Sequence, residues 1–253
     1  MEKRGQATIF IIIGLVIIAA VIFLFILFRS FQEKAREITN PQEYLKSQIN
    51  DIKKSLVKCI DEESRVVIRK LSLQGGHLDP IKYVNYYGNK TSFLCYKVKQ
   101  GETCYNMMFT REDVSSEIKP VLSNNIKKCM DNGLIVFRNK DYVLTTGDYS
   151  FDLTFSDATL LVAVDYPITL TKGNAEDKQR TFSKDIKSNF WKSVNLASAI
   201  VNLESKGEVV DVAEMSPNNL DFEIGRTEVS GGNLYILAPR NGFDPIFYFA
   251  VEK

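Results

Sequence analysis

The chain has 253 residues, of which 45% are hydrophobic and 25% are charged, and its formal net charge is +1. This balance excludes an intrinsically disordered chain, because such chains combine few apolar residues with a high net charge. It also lacks the overall basic excess that nucleic-acid binding requires. We therefore expect a folded protein with no nucleic-acid partner.

An unbroken apolar run extends from residue 7 to residue 28. Of its 22 residues, 17 are Ile, Leu, Val or Phe. A helix of this length is about 33 Å long, and the hydrocarbon core of a bilayer is about 30 Å thick. Residues 7–28 therefore predict a transmembrane helix in contact with membrane lipid, and residues 6–40 together predict this helix and a helical stalk. The run is too long, and too bulky at its far end, for an ordinary cleaved secretory signal.

The start of this run carries a short motif. Residues 3–8 read KRGQAT and resemble the class III signal peptide of archaeal type IV pilin-like surface proteins, a resemblance limited to roughly the first 25 residues. It implies that a prepilin-type peptidase removes residues 1–5 by cutting after Gly5, so that Gln6 becomes the N-terminus. Assembled pilins usually have Glu at the fifth position after this glycine, whereas this chain has Phe10. A carboxylate is kept in lipid only for a partner, so its absence removes the best reason to expect a filament. A processed pilin-like anchor and a plain anchor both stay open.

Four cysteines lie outside the apolar run, and their even number suits two disulfides in an oxidising compartment. A two-residue turn at Lys99-Gln100 would place Cys95 directly opposite Cys104 on antiparallel strands, at a Cα separation that a disulfide accepts. Gly101 would suit a longer loop, which shifts the register but keeps the two cysteines close.

By elimination, the second disulfide joins Cys59 and Cys129. Free buried thiols and a zinc site are the alternatives, and zinc is disfavoured because no close pair such as C-x-x-C occurs. Disulfides predict that the C-terminal part of the protein is extracytoplasmic, and hence a single-pass protein of the cell membrane.

Residues 41–133 are predicted to form a disulfide-bonded helix and hairpin subdomain. Asn40-Pro41 predicts the start of a long helix, and Gly75-Gly76 predicts its end. A second helix is predicted from Thr110 to Gly133, in which Pro120 either causes a kink or marks the true start. The strands expected between the two helices span residues 82–87, 92–98 and 103–109. The only histidine, His77, is interpreted as a surface turn residue, and Lys53, Lys54 and Lys58 as a solvated helix face.

Asn89-Lys90-Thr91 is an N-glycosylation sequon on a predicted turn between the first two strands. The extracytoplasmic prediction makes Asn89 a candidate glycosylation site.

Residues 134–253 are predicted to form an α+β head domain. A third helix is expected over Lys184–Glu204, with Phe190-Trp191 most simply packed on the sheet. In the strand at 159–171, residues on both faces are apolar up to Asp165, which predicts that part of this strand is covered on both faces. The other strands are predicted at residues 134–137, 142–146, 149–155, 208–214, 221–228, 233–237 and 243–251. The fold class is therefore α+β, with a mostly antiparallel sheet and three packed helices in the head.

No motif for nucleotide binding or for a histidine-based nucleophile occurs in the sequence. The acidic residues Asp148, Asp152 and Asp157 are the remaining candidates for calcium or glycoside chemistry, without the spacing of an EF-hand. We expect no cofactor and no bound metal. The best hypothesis is a surface binding or assembly module for an extracellular protein or glycan. The alternatives are a minor type IV pilus subunit and a membrane-tethered hydrolase that uses acidic residues.

Overall fold

The computed structural model describes residues 14–25, 40–99, 101–208, 210–242 and 244–253. Residues 14–25 of the apolar run are helical, and their large apolar side chains are 55–63% exposed. In the described ranges, no helix is both long enough and apolar enough to cross a membrane. The predicted leader, the cleavage site at Gly5 and Gln6, the rest of the apolar run and the helical stalk up to residue 39 lie outside the described residues.

After residue 39 the chain is an α+β fold, as predicted. It contains helices α1 (Pro41–Leu73), α2 (Arg111–Arg138), α3 (Phe190–Glu204) and α4 (Val212–Asn218). The strands are β1 (Tyr83–Tyr86), β2 (Asn89–Tyr96), β3 (Tyr105–Asn106), β4 (Val143–Thr146), β5 (Ser150–Phe155), β6 (Thr159–Lys172), β7 (Ala175–Lys187), β8 (Phe222–Val229), β9 (Gly232–Pro239) and β10 (Phe247–Glu252).

The strands form two sheets. The first has the order β1-β2-β10-β9-β8, with β3 also paired to β2. Its pairs are antiparallel except for β2 and β10, where Ala250 lies opposite Phe93 in a parallel arrangement. In the second sheet, β7 pairs along one edge of β6, while β4 and β5 pair along the other, all antiparallel. Both sheets are therefore mostly or wholly antiparallel, as expected, but the strands form two sheets rather than one.

Helix α1 is the element that connects these parts. The Asn40 side chain accepts a hydrogen bond from the Glu43 backbone N–H at 3.2 Å, and proline occupies the first turn. The helix ends where Gly75 and Gly76 adopt positive φ angles of 69° and 90°, which glycine reaches without a Cβ clash. Along its length α1 contacts α2, β6, β7, β2 and β10. Both sheets therefore pack around one helix, and one core cluster runs from Tyr44 to Val251.

The prediction that α2 ends at Gly133 is wrong. The helix begins with a capping box between Thr110 and Asp113, contains Pro120, and continues through Gly133 to Arg138. Leu134 is fully buried and extends the stripe of buried residues in α2, so packing on α1 outweighs the cost of a helical glycine. Residues 134–137 are thus helical rather than a strand, and the boundary expected after Gly133 lies inside α2.

The chain also differs from the prediction around β6 and β7. Only one face of β6 is covered, because its even-numbered residues from Leu160 to Leu170 are buried while Leu161 is 41% exposed. Residues 175–187 form a strand that the sequence analysis did not assign, and the helix expected from Lys184 begins at Phe190. Most residues of β7 are charged or polar, and only Phe182 and Ile186 are buried in the core. The sequence of β7 therefore shows no clear apolar alternation.

The described residues of the range 208–214, which are 208 and 210–214, do not form the predicted strand. Within them, the Asp211 side chain accepts hydrogen bonds from the backbone N–H groups of Ala213 and Glu214 and caps the start of α4. The predicted strands near residues 221–228, 233–237 and 243–251 are present as β8, β9 and β10, with β10 beginning at Phe247.

Candidate functional site

Both predicted disulfides are present. Cys59 and Cys129 join α1 to α2 with a Cα–Cα distance of 5.7 Å. Cys95 and Cys104 are joined with a Cα–Cα distance of 5.3 Å, and no described cysteine is free. The disulfide pairing obtained by elimination is therefore confirmed.

The predicted two-residue turn between Cys95 and Cys104 is wrong. Cys95 lies opposite Asn106, and Tyr96 lies opposite Tyr105. The strands are thus connected by a longer loop in which Gly101 has a φ of 90°, and the loop keeps the two cysteines within bonding distance. The longer-loop alternative describes the structure.

The sequon residue Asn89 is the first residue of β2 rather than part of a turn. The turn residues are Tyr87 and Gly88, with φ angles of 44° and 78°. The Asn89 side-chain amide donates to the Tyr87 carbonyl at 3.2 Å. The Thr91 hydroxyl is buried and donates to the Leu73 carbonyl at 3.0 Å. Glycosylation of Asn89 stays a prediction.

The acidic candidates are not brought together. Asp152 pairs with Lys119 at 2.9 Å, Asp157 pairs with Arg111, and Asp148 is exposed. A side-chain hydrogen bond from Lys119 lowers the pKa of Asp152 below its ordinary value. Within the described ranges, no group of three or more His, Cys, Asp or Glu residues is placed to hold a metal ion.

His77 is half-buried at the end of α1. Its Nδ1 atom lies 3.2 Å from Glu117 Oε2, and its ring meets the ring of Phe109 edge-on at 5.1 Å. The other oxygen of Glu117 accepts a hydrogen bond from the Leu78 backbone N–H at 2.6 Å. These contacts tie the turn after α1 to α2, which is a structural role.

The best candidate site is a groove of about 530 Å³ between the C-terminal half of α1, the end of β7 and the start of β10. Its floor contains Ile68 and Ile186, which are 3% and 0% exposed. Pro245 and Ile246 line the opposite side, and Ile246 is 37% exposed. The groove therefore offers apolar surface at the junction of the two sheets.

The rim of this groove carries three cations, Arg65, Arg69 and Lys187. Arg65 binds Asp61 through two hydrogen bonds of 3.0 and 3.1 Å, and this interaction raises its pKa. Arg69 and Lys187 are exposed and form no ion pair with any described residue. Two positive charges at the rim are thus available to an external anion.

The groove has one acidic residue, Asp244, and its carboxylate is already used. One oxygen accepts a hydrogen bond from the Asn189 backbone N–H at 3.2 Å, and the other accepts one from the Asn241 amide at 2.8 Å. The carboxylate therefore holds the loop before β10 against the start of α3. It does not neutralise Arg69 or Lys187 by a direct contact.

Tyrosines extend one wall of the groove to the tip of the β1–β2 hairpin. The Tyr248 ring, which lines the groove, meets the Tyr86 ring edge-on at 5.2 Å, and Tyr86 meets Tyr87 at 4.6 Å. Burial raises the pKa of Tyr248 and of Tyr86, so both hydroxyls stay neutral at physiological pH. Tyr87 is 83% exposed and provides an aromatic surface next to the groove.

A larger, more open groove lies between α4 and β8, but its arginines are engaged in holding the fold. Arg226 donates to the Val210 carbonyl at 3.1 Å. Arg240 donates to the carbonyls of Asn219 and Ser216 at 3.1 and 3.0 Å. These bonds attach α4 to the sheet, so the smaller groove is the better candidate.

Sequence analysis did not identify Arg65, Arg69 or Lys187 as site residues. The only local signal is the four-residue spacing of Arg65 and Arg69 beside the apolar stripe of α1, which places them on one side of the helix. Lys187 joins them because β7 ends next to α1, and β7 itself was not predicted.

No family model, no curated protein and no solved structure matches the chain.

Proposed function

We propose that the chain is a single-pass membrane protein of the cell surface, with a disulfide-bonded extracytoplasmic α+β domain that acts as a binding or assembly module. One observation carries the proposal: an apolar run of 22 residues precedes a domain with two disulfides. The run has the length of a membrane span. Disulfides of this kind persist in oxidising compartments outside the cytoplasm.

The position of the groove supports a binding role. Helix α1 begins at Pro41, the end that is nearer to the apolar run in the sequence, and Arg69 lies 28 residues further along it. At 1.5 Å per residue this separation is about 40 Å. The groove thus lies far along α1 from the end that follows the apolar run in the sequence, which supports access for an external partner.

Localisation of the full-length chain in its native host tests this proposal. We expect it to stay in the membrane fraction after an alkaline wash, and to lose a C-terminal epitope to protease added to intact cells. Under denaturing conditions, a maleimide reagent should modify the thiols only after reduction. A protein that is released by the wash, or whose four thiols are already reactive, would contradict the proposal.

A variant in the apolar run provides the matched control. Replacing Ile17 and Ile18 with lysine places two charges near the centre of the run, and each costs about 3 kcal/mol on insertion scales. We expect this double variant to leave the membrane fraction, while Ile17→Leu with Ile18→Leu stays in it. Equal retention of both variants would show that the run is not the anchor.

A minor type IV pilus subunit is the second candidate, and the KRGQAT motif favours it. Mass spectrometry of the native protein should then show an N-terminus at Gln6, and Gly5→Leu should prevent this cleavage. An intact Met1 in the native protein would remove the peptidase as a partner and leave a plain anchor.

A further inference from the structure

The groove is lined by the last two residues of β7, Ile186 and Lys187, and by Ser188 just after the strand. Successive side chains of a strand point to opposite faces, so one face would present only every second residue. The groove is therefore lined by the edge of β7 rather than by one of its faces. Strand β7 pairs with β6 alone, and no described strand pairs with its other edge.

An open strand edge presents backbone N–H and C=O groups that an extended peptide can pair with. The wall beside this edge carries accessible apolar surface at Leu73, Pro245 and Ile246, which are partly or largely exposed. This surface suits the apolar side chains of a peptide better than the hydroxyl-rich faces of a sugar. The rim adds Arg69 and Lys187, which form no ion pair with described residues. Guanidinium and ammonium groups in this setting attract carboxylates.

We infer that the groove binds an extended acidic peptide segment of a partner protein. The segment pairs with the open edge of β7 near the exposed Lys187, places alternate apolar side chains on the apolar wall, and directs carboxylates towards Arg69 and Lys187. This inference rests on the proposed binding role and specifies the chemistry of the partner.

The probe is a fluorescein-labelled hexapeptide of alternating glutamate and valine, titrated with the purified full-length chain in detergent micelles and followed by fluorescence anisotropy. Two comparison peptides replace every glutamate with glutamine or with lysine. We expect the glutamine peptide to bind at least about tenfold more weakly than the acidic one, and the lysine peptide not to bind. Raising the salt concentration from about 0.05 to 0.5 M should lower the affinity for the acidic peptide, because salt screens the attraction between exposed charges.

Charge reversal at the rim tests the site. The double variant Arg69→Glu with Lys187→Glu should lower the affinity for the acidic peptide at least about tenfold. It should also allow the lysine peptide to bind. Lys206→Glu is the control, since Lys206 is an exposed cation outside the groove, and it should change the affinity less than about twofold. The gain of lysine-peptide binding is a readout that a misfolded variant could not produce.

The role of the strand edge has its own test. A peptide in which the valines are replaced by proline keeps all its carboxylates but cannot form the backbone ladder, and we expect it not to bind. The inference is overturned if the proline peptide binds as well as the valine peptide, or if the rim reversals have no effect. It is also overturned if the chain binds an acidic oligosaccharide such as oligogalacturonate and not the peptide.

These outcomes are independent of localisation. Peptide binding is measured on the purified chain, so a failed membrane test would leave it unaffected. Conversely, a protein that is anchored outside the cell but ignores the acidic peptide would contradict only the inferred partner chemistry.

Discussion

A Cβ atom added at Gly133 would lie 3.4 Å from the Ser55 side-chain oxygen and 3.8 Å from the nearest atom of Leu56. Gly133 on α2 thus faces α1 one turn after Cys129, whose disulfide with Cys59 joins the same two helices. Both distances are those of ordinary van der Waals contact, so there is room between the two helices for one methyl group at position 133.

Gly133→Ala should therefore stabilise the protein. Alanine is favoured over glycine inside a helix by about 1 kcal/mol, and the single methyl group fits the space at this contact. We expect the free energy of unfolding in urea to rise by about 0.5–1 kcal/mol. Gly133→Leu is the counterpart, and overpacking should lower the free energy by about 1–3 kcal/mol. An alanine variant that is less stable than the parent would refute the contact described here.

The two disulfides should contribute unequally to stability. The chain-entropy model assigns about 4.4 kcal/mol to a loop of 70 residues, the separation of Cys59 and Cys129. It assigns about 2.7 kcal/mol to a loop near 10 residues, and Cys95 and Cys104 are separated by 9. Replacing each pair with alanine and measuring urea unfolding should show the larger loss for the 59–129 pair. Equal losses would mean that strain or residual structure outweighs loop entropy.

The turn into β9 should be intolerant of a side chain at Gly232. A Cβ atom there would lie 2.0 Å from the Val251 carbonyl oxygen, which is backbone and cannot move away cheaply. Gly232→Ala should lower the free energy of unfolding by about 3 kcal/mol, since β9 and β10 must separate locally. Gly225→Ala is the matched control, because its nearest neighbour is 3.5 Å away, and it should cost less than about 1 kcal/mol. Similar thermal melting of the two variants would contradict this packing.

Glu252 should make stability depend on pH. Burial acts to raise its pKa, but hydrogen bonds from the Lys82 ammonium and from the Lys97 backbone N–H at 2.7 Å outweigh burial and lower it. A carboxyl group whose pKa is lower in the folded state contributes stability above its unfolded pKa, near 4.3, and loses it as pH falls through the folded value. Glu252→Gln should therefore cost about 1–2 kcal/mol at pH 7.

This cost should disappear in acid. Below the lowered pKa of Glu252 the parent carboxyl group is protonated, and the parent and Glu252→Gln should unfold at the same urea concentration. Glu228→Gln is the control, because its ion pair with Lys253 is exposed, and such pairs contribute little. A difference between parent and Glu252→Gln that persists in acid would show that shape rather than charge is responsible.

Long elements with local start and stop signals were predictable from the sequence. The cap at Asn40, the prolines and glycines at the ends of α1, and the capping box at Thr110 act through bonds within a few residues, so their effect does not depend on the rest of the fold. The disulfide pairing was predictable because Cys95 and Cys104 are close in the sequence, which left Cys59 and Cys129 as the only other pair.

By itself, the sequence determined the α+β class, helix α1, the cysteine pairing and the β8–β10 strands, because these depend on local caps, alternation and counting. Only the tertiary structure decided that α2 passes through Gly133, that the polar segment 175–187 is a strand, and that Lys187 joins Arg69 at one groove. Each of these depends on a surface supplied by a distant part of the chain: α1 packs against α2, β6 pairs with β7, and the two sheets meet across α1. Local sequence carries little information about such contacts.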